Sequence, residues 1–288
     1  MAIDILQDKI RKLKNPSMLE LAMPLSDLPP QFSTDAAGYG AFCRELLTGL
    51  KDSIPAVRVS FAAFSLLGAD GFVELRKTLQ TASELGFYVL MDAPEIASPM
   101  MAGITAESLL GEESGFSCDG VLISGYAGSD HIKPFLPYCK KGGKDLFVVT
   151  RTANKSAPEL QDLLAGSRLV HAAAADHVNR YGADTEGKYG YTQVGALAAA
   201  SSAESLRTLR SKYSRLFLIV DGYDYPNANA KNCANAFDKF GHGAIVCSGS
   251  GISCAWKTAE SDGSDWLTHA RAAADRMKKN LNRYVTIL

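Results

Sequence analysis

No apolar run in this chain approaches the roughly 20 residues that a helix needs to span a bilayer, which argues against a membrane protein. The N-terminus also lacks a signal-peptide core. Ile3-Asp4-Ile5-Leu6-Gln7-Asp8-Lys9-Ile10 reads there as a charged amphipathic helix. Charge of one sign is missing too. A formal net charge of -1 gives neither nucleic acid nor an anionic surface an electrostatic foothold. Cysteine is sparse and unpatterned: Cys43, Cys118, Cys139, Cys233, Cys247 and Cys254 form no C-x-x-C pair, and the five histidines show no ligand spacing. A zinc module is therefore not expected, and reduced thiols in a cytoplasmic protein are. With 47% hydrophobic and 21% charged residues, disorder is excluded.

What is present is an alternation of short apolar runs with longer helical patterns. Strands are expected at Met18 to Ala22, Ala56 to Phe61, Phe87 to Met91, Gly120 to Ser124, Asp145 to Thr150, Gly190 to Gly195, Leu216 to Asp221 and Ala244 to Cys247. They are apolar on both faces, as strands buried in a parallel sheet should be. Gly71 to Leu85, Ala203 to Tyr213 and Trp266 to Tyr284 carry helical spacing. Eight βα units over 288 residues, without a composition break, predict one α/β domain: a (β/α)8 barrel with an N-terminal capping helix. A doubly wound open sheet is the rival.

In such a barrel the chemistry sits at the carboxyl ends of the strands. The polar groups expected there are Glu20, Arg58, Asp92, Glu95, Asp221 and Asp224, together with the glycine-rich turn Ser248-Gly249-Ser250-Gly251. The carboxylates can hold a divalent cation or a cationic ligand, or simply form a solvated rim around Arg58. The turn can cradle a phosphate through backbone N–H groups or be a plain tight turn. Tyr126, Tyr223 and Tyr225 are candidates to line a pocket, and Cys247 is a weak candidate nucleophile.

Several segments resemble the bacterial type 2 branch of the orotidine 5'-phosphate decarboxylase family. Asn15-Pro16-Ser17 is similar to its Asn-Pro-Thr before the first strand. Gly125-Tyr126-Ala127-Gly128-Ser129-Asp130 with Pro134-Phe135-Leu136 resembles its Pro-Tyr-Met-Gly-Ser-Asp…Pro-Phe-Leu. Thr150-Arg151-Thr152-Ala153-Asn154 with Glu159-Leu160-Gln161 resembles its Lys/Arg-Thr-Ser-Asn…Asp-Leu-Gln. Gln193-Val194-Gly195-Ala196 and Gly243-Ala244-Ile245-Val246 match its sixth and eighth strands. The order and spacing hold over nearly the whole chain. The resemblance implies a barrel, a homodimer joined through the mouth, a small-molecule ligand there and no cofactor.

The active-site segment departs from the family's Asp-x-Lys-x-x-Asp-Ile-x-x-Thr. Asp92 is kept, but Pro94 stands at the lysine and Ala97 at the second aspartate, with Ser98 and Met101 following. In the family the lysine offsets charge developing on the pyrimidine and returns a proton, and the second aspartate reaches the partner's site. Ala22 replaces the ribose-binding aspartate of Gly-Leu-Asp-Pro, Arg58 replaces the second strand's lysine, Pro226 the base- and phosphate-gripping glutamine, and Ser250 the phosphate-clamping arginine. Asp92 and Arg58 are the surviving catalytic candidates; Gly222, Ser248, Gly249, Ser250 and Gly251 are the phosphate candidates. Glu20, Glu95, Asp221 and Asp224 suggest a new polar site.

Three functions stand open at this point: a barrel without decarboxylase activity that keeps a ligand-binding or regulatory role, an enzyme with a new carboxylate- or metal-based reaction, and a working decarboxylase making UMP. The combined losses point to the first. A homodimer is expected, with Pro99-Met100-Met101-Ala102 adding apolar surface to its interface.

Overall fold

The structure, a computed structural model, describes residues 1–94 and 96–288. Eight parallel strands close into a barrel: β1 (Ser17–Leu21), β2 (Ala56–Ser60), β3 (Tyr88–Asp92), β4 (Gly120–Ser124), β5 (Asp145–Val149), β6 (Thr192–Ala199), β7 (Leu216–Asp221) and β8 (Ala244–Ser248). Each strand neighbours the next, and β1 returns to β8 with Ser17 opposite Val246. This is the (β/α)8 barrel the alternating pattern predicts, and closure rules out the open doubly wound sheet.

Main helices follow most of the strands: α1 (Ala2–Leu13) precedes β1, α2 (Ala36–Leu50) follows it, and α3 (Gly68–Glu84), α4 (Pro99–Leu110), α5 (Val170–Gly182), α6 (Ala203–Lys212) and α7 (Trp266–Asn282) continue the ring. Their starts are chemically marked. Asp35 caps α2 by accepting from the Gly38 N–H at 2.8 Å, and Ser98 caps α4 ahead of Pro99, whose missing N–H is harmless at the first helical position. Ile3, Leu6 and Ile10 bury one face of α1, which packs beside β3 and β6, so the expected capping helix is present. The connection after β5 carries a small hairpin, Leu164–Ala165 with Arg168–Leu169, which the sequence pattern did not suggest.

The sixth strand differs from its expected span. It runs Thr192–Ala199 rather than Gly190 to Gly195, with an irregular register between Thr192 and Ala196. Gly195 is thus inside the strand, not at its end. The small side chains of Ala196, Ala198 and Ala199 have weak strand propensity, yet here they make room. A Cβ on Gly195 would lie 2.6 Å from both the Phe147 ring and the Phe217 carbonyl oxygen. Large aromatics from β5 and β7 take the space that β6 leaves.

The strands are buried almost throughout and open only at one end. The last residues of β3, β4, β5 and β7, namely Asp92, Ser124, Val149 and Asp221, are half-buried, as is Glu20 near the end of β1. That end is the mouth. At the opposite end Asn15 accepts from the Ser17 backbone N–H at 3.1 Å and its hydroxyl at 2.7 Å, while its own amide donates to the Ser53 carbonyl at 2.6 Å. The Asn15-Pro16-Ser17 motif is a turn-former far from the mouth.

Candidate functional site at the barrel mouth

Arg58 organises the mouth. It is third in the five-residue strand β2, only 8% exposed, and its planar fork reaches three neighbouring carboxylates. Nη2 lies 2.5 Å from Glu20 Oε1 on β1, Nε 3.1 Å from Asp92 Oδ1 on β3, and Nη1 2.8 Å from Asp221 Oδ1 on β7. Adjacent strands bring the first two together by register: Glu20 pairs with Arg58 across β1 and β2, and Asp92 pairs with Ser60 across β2 and β3. Asp221 reaches in from further around the ring. Guanidinium geometry, with donors on three edges, is what allows one cation to serve three acids.

The charges do not balance. Burial pushes Glu20 up to about 7, opposed by Arg58 and reinforced by Asp221, Asp92 and Asp224. Burial raises Asp92 as well, again against Arg58. Burial alone would lower Arg58, but the surrounding carboxylates lift it well above its usual value, so it stays charged. Cys247 Sγ sits 4.0 Å from Arg58 Nη1, and burial raises the thiol well above the ordinary range. That disqualifies it as a nucleophile at neutral pH.

The Arg58–Asp221 pair stands between two cavities, and both residues line each of them. One, about 510 Å³, is bordered by Glu20, Asp27, Asp224, Tyr225, Gly249 and Ser250 and is acidic. The other, about 520 Å³, is bordered by Phe61, Asp92, Pro94, Leu122, Ile123 and Leu197 and is more apolar. The mouth therefore stays open, as expected, but is partitioned. Within the described part of the active-site segment, Pro94 presents a ring to the second cavity where a cationic side chain would bring a proton.

Asp224 is engaged elsewhere than expected. Its Oδ1 accepts from the Ser248 hydroxyl at 2.6 Å, and its Oδ2 from the Gly249 and Gly251 N–H groups at 2.8 and 3.1 Å. Three phosphate candidates thus already spend their donors on a carboxylate. Gly222, at φ +78°, begins the turn that aims Asp224 at them, with the Tyr225 N–H returning to the Gly222 carbonyl at 3.1 Å. A side chain at Gly222 would meet Ala153 at 2.3 Å and the Tyr225 ring at 2.7 Å.

Glu20, Arg58, Asp92 and Asp221 converge as the sequence suggests; Asp224 shares their cavity but belongs to the β8 turn, and Glu95 lies outside the described residues. Of the tyrosines, Tyr225 lines the acidic cavity, Tyr223 faces a separate one beside Asn280 and Arg283, and Tyr126 donates to the Thr150 carbonyl. Glu20, Asp221 and Cys247 have ligand atoms within 4.8 Å of one another, a trio that the sequence spacing does not reveal. The Arg58 guanidinium, however, lies against all three and fills the cation's place. No helix among the described residues is long and apolar enough to cross a membrane.

A closed (β/α)8 barrel with a polar constellation at the carboxyl ends of its strands defines the class. No family model matches the chain. It is, however, 29% identical over 277 residues to the orotidine 5'-phosphate decarboxylase of Rhodopirellula baltica, covering 93% of this chain and 92% of that protein. Against the decarboxylase of Clostridium novyi the identity is 25% over 286 residues, with 98% of each covered. Among solved structures, Leishmania donovani OMP decarboxylase superposes with a TM-score of 0.73 at 23% identity, covering 98% of both chains. The Methanocaldococcus jannaschii orotidine 5'-monophosphate decarboxylase complexed with the inhibitor BMP superposes at 0.63 with 16% identity, covering 93% of this chain and 99% of that one. The structural likenesses attest the fold. The relatives show that the chain is similar to orotidine 5'-phosphate decarboxylases over nearly its whole length.

Proposed function

We propose that this chain is an orotidine 5'-phosphate decarboxylase-like barrel that no longer decarboxylates and holds a neutral or cationic small molecule at its mouth. The observation that carries this reading is the state of Arg58. Among the described residues it is the one cation lining either mouth cavity, and three carboxylates already occupy it. Decarboxylation needs a group that offsets the electron pair left when CO2 departs and then delivers a proton. A guanidinium tied to three acids and held far above its usual pKa gives up no proton. Pro94 has none to give. Loss of one preorganised electrostatic group commonly lowers turnover about 100- to 1000-fold, and residues that act as a unit fail together.

The same reading gives the ligand its charge. With Glu20, Asp27, Asp92, Asp221 and Asp224 ionised, five carboxylates line the two mouth cavities against one guanidinium among the described residues. An added anion would raise that excess, whereas an ammonium or an uncharged polar molecule would not. Asp92 and Arg58 act in this proposal as binding groups, and the divalent-metal alternative is disfavoured because Arg58 holds the cation position.

A second reading, a working decarboxylase, draws on the near-complete coverage of the two bacterial relatives. One assay separates the two. Purified protein incubated with orotidine 5'-phosphate is expected to release no CO2 above background, while a known decarboxylase run in parallel does. Turnover that persists after repurification and disappears in Asp92→Asn would establish the second reading instead.

A further inference from the structure

The turn after β8 brings three hydrogen-bond donors to one point, the Ser248 hydroxyl and the Gly249 and Gly251 N–H groups, and the carboxylate of Asp224 sits on that point. The contact joins residues 24 to 27 positions apart, between the loops after β7 and β8, so it is no local cap of the turn. The Gly249 and Gly251 N–H groups open the short helix Ser250–Ser253 and converge on that carboxylate, as the donors of an anion-binding concavity do. A Cβ on Gly251 would lie 2.3 Å from Asp224 Oδ1, and one on Gly249 3.1 Å from Glu20 Oε2, so these turn glycines leave room for the carboxylates.

We propose that Asp224 is a built-in anion that takes the anion-binding position of this mouth and so restricts its ligands to molecules carrying no phosphate at that end. This rests on the reading of the mouth as a site for a neutral or cationic ligand, and it names the residue that keeps phosphate out. An incoming phosphate would meet no free donor on Ser248, Gly249 or Gly251. To gain them it would have to expel a carboxylate whose hydrogen bonds are charge-assisted, each stronger than a neutral one. Until then it would face that carboxylate and Glu20 as like charges across the same 510 Å³ cavity. The turn starting at Gly222 holds Asp224 in place, because Gly222 has the positive φ that a side chain resists and is pressed against Ala153 and the Tyr225 ring.

The test is titration with inorganic phosphate, followed by calorimetry and by thermal shift at constant ionic strength. The wild-type chain is expected to show no saturable phosphate binding. Asp224→Ala, which frees all three donors, is expected to bind phosphate at least roughly tenfold more tightly than the wild type. Asp224→Asn keeps the shape but loses the charge, and its amide nitrogen can meet the glycine N–H groups, so it should fall between the two. Phosphate binding by the wild-type chain, or a folded Asp224→Ala that gains none, overturns the proposal. Should Asp224→Ala fail to fold, the wild-type titration and Asp224→Asn decide: binding by the former, or no gain in the latter, overturns it equally. Failure here is distinct from failure of the functional reading. A chain that releases no CO2 and binds no phosphate, with a folded Asp224→Ala that gains none, keeps that reading and loses this inference.

Discussion

Burying a guanidinium costs several kcal/mol unless its charge and donors are met; Glu20 and Asp221 accept from Arg58 at 2.5 and 2.8 Å, while Asp92 lies 3.1 Å from Nε as an ion pair without hydrogen-bond geometry. Glu20 is raised by burial and by its acidic neighbours to about 7, and burial raises Asp92 and Asp145 in the same sense. In the unfolded chain Glu20 ionises near 4.5. Between those values the folded chain binds more protons than the unfolded one, so stability falls as pH rises through that window. The contribution is fully present below about 4.5 and lost as pH rises through about 7. The lowered carboxylates, such as Asp162 beside Arg151 and Asp176 under Tyr213, act in the opposite sense but below their usual value of 3.8, outside this window. Urea denaturation at pH 5 and pH 8 is therefore expected to show a loss for the wild type on the order of a few kcal/mol, and a flatter profile for Glu20→Gln. Equal slopes for the two proteins would remove Glu20 as a source and leave the dependence to Asp92 and Asp145.

At the scale of single elements, the sequence is a good guide wherever packing is uniform and a poor one where it is not. β4 and β7 have the expected bounds and the other strands except β6 shift by one residue or so, because continuous apolar runs bounded by turns leave few alternatives. β6 was displaced because Gly195, Ala196, Ala198 and Ala199 carry little strand signal of their own; their role is set by Phe147 and Phe217, which are far away in sequence. The site follows the same division. The Arg58–carboxylate grouping is legible, since known strand ends place those residues at one mouth. Asp224 in the β8 turn is not, because Asp224-Tyr225-Pro226-Asn227 reads locally as an ordinary turn and its partners belong to another loop. The aromatic interlock at β6 gives a direct test. Gly195→Ala would drive a methyl to 2.6 Å from a backbone oxygen that cannot swing aside. A loss of about 1–3 kcal/mol is expected, read as a lower urea midpoint with an unchanged slope. No change would mean that β6 gives way more easily than its neighbours imply.

The whole molecule pairs an acidic mouth with large exposed apolar side chains on segments that leave the carboxyl ends of its strands. Met100 is 73% exposed and Ile104 55% on α4, with Met101 exposed between them; Leu66 follows β2, and Leu160, Leu163 and Leu164 follow β5. All leave the carboxyl ends of their strands, on the same side as the site. Large apolar side chains held in water on one rim favour association, and a near-zero net charge of -1 does little to oppose it. The partner proposed is a second copy of this chain, joined mouth to mouth through an interface of the usual size, about 1,200–2,000 Å² in total. Sedimentation at micromolar concentration is expected to give twice the 30.8 kDa chain mass. Met101→Asp combined with Ile104→Asp should shift it to the monomer. Both positions are exposed on a helix surface, so the fold itself should hold, with an unchanged circular dichroism spectrum. A wild-type protein that sediments as a monomer at every concentration, or a double variant that still dimerises, would place the apolar rim outside any self-association. Its exposed methionines would then call for a different partner.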